Sequence, residues 1–315
     1  MSFGRRQKKE IELKALYMHY LQTENELSAF VESVLQNPPM AIAMDLEGES
    51  NRHRYGFHVC LFQFHVHGQS YLVDSILIKE VSPLERLLGH PGIRKVAYAT
   101  DFDVRLLHLV YGWTVQNLYD VQLAARELGH DDISLPHLLR HYLQVEFVKN
   151  NRMQRSNWNQ RPLTGEHLEY AALDVRHLLD LYGAMDAEIR NRGLDQKLAA
   201  RNRAAERHRF QNRHRPYLAV KGSGNLNREQ KIVLKHLFEA RENTARTLDM
   251  PPYWVVSNEK LLEVCAAPPA TEREWSAGGL LPPKAKPHAA VFHAACEAAR
   301  QEQALRAPRK SPDKP

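Results

Sequence analysis

The chain has 315 residues, 43% of them hydrophobic and 25% charged, which suits about two soluble globular domains. Lys and Arg outnumber Asp and Glu by 43 to 37, and the net charge of +6 favours a polyanionic partner, nucleic acid first. Three cysteines, Cys60, Cys265 and Cys296, exclude a disulfide framework or a CxxC zinc site and point to a reducing compartment; no stretch of 18 apolar residues exists to span a membrane.

Residues 1–13 mix acids and bases with no apolar run behind them, so no secretory signal is expected and the cytoplasm is the default location. Leu27, Phe30, Val31, Val34 and Leu35 have helical spacing over 24–36, and Pro38-Pro39 stops that pattern. Strands are predicted at 41–47, 57–66 and 69–74, with His67-Gly68 as the hairpin turn between the last two. A short helix at 83–88, a strand at 95–99, a helix at 103–111 and a strand at 115–119 follow. Helices are then predicted at 120–128, 134–142 and 165–193. A hairpin-rich start followed by alternating strands and helices predicts an α/β fold, a mixed sheet flanked by helices.

The composition then shifts. From Lys197 to Lys221 there are eight basic residues and one acid, Glu206. Gly222-Ser223-Gly224-Asn225 predicts a flexible joint. Helices are expected at 227–246, around 261–264 and at 288–303, with a Gly/Pro/Lys-rich loop at 278–287 and a disordered Pro/Lys-rich tail. The predicted division is an α/β domain over 15–195, a basic linker over 196–225, a small all-helical domain over 226–303 and a tail over 304–315. Arg209, Arg213, Arg215 and Lys221 of the linker are candidate phosphate contacts, though a solvated helix face is the plainer alternative.

Three acidic groupings carry chemistry. In Asp45-Leu46-Glu47 the carboxylates stand at i and i+2 and share a strand face at the end of an apolar run. A divalent cation would relieve their burial and repulsion, with a strand that ends in water as the alternative. Thr100-Asp101-Phe102-Asp103 follows an apolar strand and opens a helix, which suits either a site or simple N-caps. Tyr170 and Asp174 are at i and i+4 and share one helix face. His65-Val66-His67 is read as surface rather than metal-binding.

Taken in order, Asp45-x-Glu47, the run Lys95 to Leu107, and Trp158-x-x-Arg161-Pro162-Leu163-Thr164 with Tyr170-x-x-x-Asp174 resemble the three exonuclease motifs of the DEDD superfamily, tyrosine subclass. Within it they look like ribonuclease D, over about residues 40–190. The resemblance implies an RNase H-like fold and 3′→5′ exonuclease activity with two divalent metal ions, Mg²⁺ or Mn²⁺. It implies Asp45, Glu47, Asp103 and Asp174 as metal-binding acids and Tyr170 as the residue that orients water. Asp103 is chosen over Asp101 because Val104, Leu106 and Leu107 then match the apolar pattern after the family's aspartate. Gln63, Trp158 and Arg161 become candidates for substrate contact, and the expected substrate is a single-stranded RNA 3′ end, with DNA or a purely nucleic-acid-binding role as alternatives. The chain departs from the family at Asn150-Asn151 and Asn157-Trp158, where Asp-Lys and Asp-Trp are usual. Residues Tyr217 to Pro251 resemble the helicase-and-RNase-D C-terminal (HRDC) module, a small helical bundle that often helps hold nucleic acid.

Overall fold

The computed structural model describes residues 18–147, 150–210 and 215–306. The chain forms two compact units. Among the described residues, one is built from 18–49 and 57–210, the other from 50–56 and 215–306.

The first unit holds a six-stranded sheet in the order β1-β4-β3-β2-β5-β6. Its strands are β1 (Met18–Leu21), β2 (Ala41–Ser50), β3 (Phe57–Val66), β4 (Gln69–Val73), β5 (Arg94–Ala97) and β6 (Leu118–Asp120). β3 and β4 pair antiparallel, with His67 and Gly68 both at positive φ in a two-residue turn. β1–β4, β2–β5 and β5–β6 pair in parallel, so the sheet is mixed as expected. The sequence reading missed β1, a short edge strand, and placed β6 three residues too early.

Period-two alternation along β2 sorts the two faces. Ile42, Met44 and Leu46 enter a core with α1 (Glu24–Gln36), α2 (Pro83–Leu88) and α3 (Asp101–Tyr111). Ala43 faces the opposite core, with α4 (Val121–Leu128) and α5 (Leu135–Leu143). α6 (Asn151–Gln154) and α7 (Gly165–Arg176) cover the β3–β4 end of that second face through Met153, Tyr170, Ala171 and Ala172. α8 (Leu178–Asn191) and α9 (Asp195–Ala205) complete the layer. Each fully buried Leu or Phe in these cores contributes roughly 1.5–3 kcal/mol.

Two expectations are corrected here. The single helix over 165–193 is two helices, broken at His177, which leaves helical geometry at φ −102°, ψ 0°. The basic stretch also does not begin as a linker. α9 packs Leu198, Asn202 and Ala205 into the first unit. Its Asn202 Oδ1 accepts from Asp120 N at 3.2 Å, and Glu206 Oε1 accepts from Leu118 N at 2.9 Å. Lys197 and Arg201 both pair with Glu127, a buried acid of α4. Three of the eight charges that suggested a linker, Lys197, Arg201 and Arg203, belong to the solvent side and the ion pairs of a docked helix.

The second unit is helical. α10 (Arg228–Leu248) starts at an Asn227/Gln230 capping box and ends at Asp249, which is in the left-handed region. It packs against α14 (Ala289–Arg306), with α11 (Pro252–Val255), α12 (Asn258–Ala266) and α13 (Glu272–Ala277) around them. Leu234, Leu237, Leu261, Trp275 and Phe292 form the centre of the core. Arg241 is buried and donates to Asn258 Oδ1 at 2.8 Å and Val256 O at 3.3 Å. No helix among the described residues is long and apolar enough to cross a membrane.

Candidate active site

β2 projects Asp45, Glu47 and Glu49 from one face, because odd positions alternate away from Ile42, Met44 and Leu46. Asp45 is half-buried, while Glu47 and Glu49 are buried. α3 starts directly after β5 and carries Asp103 at its third position, buried, while Asp101 on the first turn is exposed. Asp101 pairs with Arg105 at 2.8 Å and with His208. The structure therefore separates the two aspartates by environment, and Asp103 is the one that faces other acids.

Burial, then the charges of Asp45 and Asp120, push the Asp103 carboxyl well above the usual carboxylate range. Asp120, which the sequence reading did not single out, is the second of these acids. It ends β6 and caps α4, accepting from Gln122 N at 2.8 Å and Leu123 N at 3.2 Å. It also accepts from Thr100 N and Thr100 Oγ1, both at 2.8 Å, and from Ala99 N at 3.1 Å. That network fixes the turn between β5 and α3, and so fixes where Asp103 stands.

α7 supplies the other half. Its start is set by Thr164, which accepts from His167 N. Tyr170 and Asp174 lie one turn apart, and the tyrosine hydroxyl hydrogen-bonds Asp174. Burial raises the Tyr170 phenol, and the carboxylates of Asp174, Glu47 and Asp45 raise it further. Asp45, Glu47 and Asp174 thus surround one phenol, and Asp45 also acts on Asp103. Five predicted residues from three elements meet in one place.

Among the described residues, no three His, Cys, Asp or Glu side chains stand close enough to grip an ion by themselves. The donor set still fits a hard divalent cation. It offers four carboxylates with only oxygen donors, in a setting where burial makes their shared charge unfavourable.

The predicted substrate contacts fall differently. Gln63 is fully buried, and neither atom of its amide has a partner. Trp158 is buried behind the site, its ring centroid 6.0 Å from Tyr170 and 5.1 Å from His167. Arg161 is an anchor of the fold: Nε and Nη2 donate to Asp74 at 2.5 and 2.7 Å, Nη1 to Trp158 O and Gln160 O, and Nη2 to Cys60 O. No donor of that guanidinium faces a substrate, because the fold has used them. Arg209 donates to Glu206 O, His208 O and Thr114 Oγ1. Arg215 and Lys221 are exposed, and Arg213 lies outside the described residues.

The asparagine departures have local roles that an acceptor oxygen performs equally well. Asn150 Oδ1 caps α6 by accepting from Arg152 N and Met153 N, and Asn157 Oδ1 accepts from Asn159 N at 3.1 Å. Asn159 in turn donates to Glu49 at 2.8 Å, linking this loop to the acidic face of β2.

Comparison with known proteins agrees with this geometry. The 3′-5′ exonuclease family matches residues 18–190, and the HRDC domain family matches residues 230–296. Exosome complex component 10 of Rattus norvegicus is 32% identical over 257 residues, covering 78% of this chain but 28% of that protein. Ribonuclease D of Desulfotalea psychrophila is 32% identical over 212 residues, covering 65% of this chain and 56% of that protein. The chain therefore spans little more than a quarter of the exosome relative. Escherichia coli RNase D, solved as an exoribonuclease involved in structured RNA processing, superposes with a TM-score of 0.74 at 27% identity, over 95% of this chain and 80% of that one. The catalytic core of RRP6 from Trypanosoma brucei shares the fold, with a TM-score of 0.77 at 24% identity, over 90% of this chain and 80% of that one. With five site residues converging on three elements and a family match over more than half its length, this chain belongs to the 3′-5′ exonuclease family and carries an HRDC domain behind its nuclease unit.

Proposed function

We propose that the protein is a 3′→5′ exoribonuclease that hydrolyses phosphodiester bonds at single-stranded RNA 3′ ends, in RNA processing or decay. The observation that carries this reading is the meeting of Asp45, Glu47, Asp103, Asp174 and Tyr170 in one partly buried place. The four acids would hold two divalent cations, Mg²⁺ or Mn²⁺. When bound, such cations supply Lewis acidity to the attacking and departing oxygens of an in-line displacement. Tyr170 keeps its proton, anchors on Asp174 and positions a water for attack. Asp120 acts at one remove, by holding the turn that aims Asp103. No side chain serves as a nucleophile, so the protein's contribution is position and charge.

The second unit offers a candidate nucleic-acid surface of its own. It carries a cavity of about 920 Å³ whose lining includes Arg215, Arg228, Lys231 and Arg246 with Tyr217, beside Glu239, Glu242 and the Lys235–Glu302 ion pair; the cations and the ring suit a nucleic-acid backbone and its bases. The buried free thiols of Cys60, Cys265 and Cys296 support a reducing location, the cytoplasm.

The test uses 5′-labelled RNA and DNA of equal sequence, with Mg²⁺ or Mn²⁺. The expected result is a ladder that shortens from the 3′ end of the RNA, is lost in Asp174→Asn and persists in Asp101→Asn. Preferential cutting of DNA would move the substrate class. Binding of both polymers with no cutting under either metal would leave a nucleic-acid-binding protein.

A further inference from the structure

Asp45 and Glu47 stand on β2, while Tyr170 and Asp174 stand on α7, so the reaction depends on the gap between two elements far apart in the chain. The segment between α6 and α7 leads into the second of these. Its Trp158 packs on the start of α7, with ring centroids 5.1 Å from His167 and 6.0 Å from Tyr170. Trp158 and Leu163 share a core with Tyr170, Ala171 and Ala172, so a shift of the segment is passed to the tyrosine. Arg161 ties the segment to Asp74 and to the Cys60 carbonyl of β3. Neither tie reaches β2.

Asn159 makes that connection. Its Nδ2 donates to Glu49 Oε2 at 2.8 Å. Glu49 is buried on the same face of β2 as Asp45 and Glu47, one strand repeat beyond Glu47. The rest of the asparagine is engaged as well. Its Oδ1 accepts from Cys60 Sγ at 3.6 Å, its Nδ2 donates a second time to Asn157 Oδ1 at 3.3 Å, and its backbone N donates to the same oxygen at 3.1 Å. Both ends of the amide therefore have partners that fix its rotation. Asn157 offers a neutral oxygen, so the Asn159 amide meets one carboxylate and not two.

We propose that Asn159 and Glu49 form a latch that holds α7 in register with β2. Asn159 is then a positioning residue. It acts through Trp158 and α7, and keeps Tyr170 and Asp174 at the distance from Asp45 and Glu47 that shared cations require. The latch needs a donor at 159, because an ionised carboxylate at 49 can only accept. Its sense can also be reversed, with the acceptor at 159 and the donor at 49, and the net charge is then unchanged. The inference rests on the reading of these acids as the cation-binding centre of an exonuclease.

The experiment reverses this hydrogen bond in the full chain. Asn159→Asp puts two acceptors face to face, and Glu49→Gln keeps an oxygen that can accept. The double variant restores a donor opposite an acceptor at the net charge of the wild type. Two quantities are read: kcat and KM on 5′-labelled single-stranded RNA, and Mn²⁺ affinity without RNA by electron paramagnetic resonance. Asn159→Asp is expected to lower kcat about thirtyfold with little change in KM, and to weaken Mn²⁺ binding about fivefold. Glu49→Gln should lose about threefold in kcat, and the double variant should recover most of what Asn159→Asp loses. The sign of the Mn²⁺ effect separates position from charge, since an added carboxylate near the centre would by itself tighten a cation. If Asn159→Asp does not fold, Asn159→Ala, which removes the donor and adds no charge, should show the same loss of kcat and of Mn²⁺ affinity. Three results would overturn the latch: a lower melting temperature with kcat and Mn²⁺ affinity unchanged, tighter Mn²⁺ binding in Asn159→Asp, or a double variant no better than Asn159→Asp. If Mn²⁺ affinity follows the latch but the wild type cuts nothing, the latch stands and the hydrolytic reading fails. If all four proteins cut alike, the reverse holds. A wild type that neither binds Mn²⁺ nor cuts overturns both.

Discussion

Asp103→Asn is expected to abolish cleavage and, at the same time, to raise the melting temperature of the metal-free protein. The two effects share one cause. Burial and the charges of Asp45 and Asp120 raise this carboxyl in the folded state, so folding opposes its ionisation. The native protein holds that proton more tightly than the unfolded chain does. Stability is therefore greatest at acid pH and is lost as pH rises from the ordinary carboxylate range through the raised folded value. An amide of the same shape removes that loss. In a metal chelator at pH 7 the variant should gain about 1 kcal/mol, or roughly 2–4 °C. Adding Mg²⁺ or Mn²⁺ should then stabilise the wild type more than the variant. Turnover should fall by about a thousandfold or more, because losing a cation-binding acid removes several kcal/mol of transition-state stabilisation. Calorimetry with and without metal, beside the labelled-RNA assay, checks both halves. A variant less stable than wild type in chelator would show that Asp103 is held by partners that favour its charge.

Arg161→Ala is expected to be the most destabilising single change in the first unit, costing about 3–5 kcal/mol. Asp74 is fully buried and Arg161 nearly so, with side-chain exposures of 0% and 12%. Removing the arginine strands a carboxylate in the core and frees the carbonyls of Cys60, Trp158 and Gln160. Ile76 N and Leu77 N also donate to Asp74, so part of its charge stays solvated and the protein should still fold in the cold. Arg161→Lys keeps the charge but loses the two-pronged contact and should sit between the two. Urea unfolding followed by tryptophan fluorescence gives the ranking. If Arg161→Ala were as stable as wild type but bound RNA poorly, the guanidinium would belong to the substrate after all.

The acids were legible in the sequence because each obeys a short-range rule. Asp45 and Glu47 follow the two-residue period of a strand, and Tyr170 and Asp174 follow the turn of a helix. Asp103 was separable from Asp101 by the apolar register behind it. What stayed hidden depends on chain-distant partners. Asp74 looks like an ordinary strand-exit cap until Arg161, far along the chain, closes on it. Asp120 shows its cap in sequence but not its reach to Thr100. α9 was hidden by its composition, since only Leu198, Asn202 and Ala205 turn inward and its bases dominate the pattern. The break at His177 has no proline or glycine to announce it.

The contact between α9 and β6 also bears on self-association. β6 is an outer strand, and an outer strand with open N–H groups is a template for another copy of the chain. Here Asn202 and Glu206 take the amides of Asp120 and Leu118 as a neighbouring strand would, one helical turn matching two strand residues. The sheet ends on side chains and cannot be lengthened from that side. A helix whose composition suggested a linker thus guards the first unit against edge-to-edge aggregation.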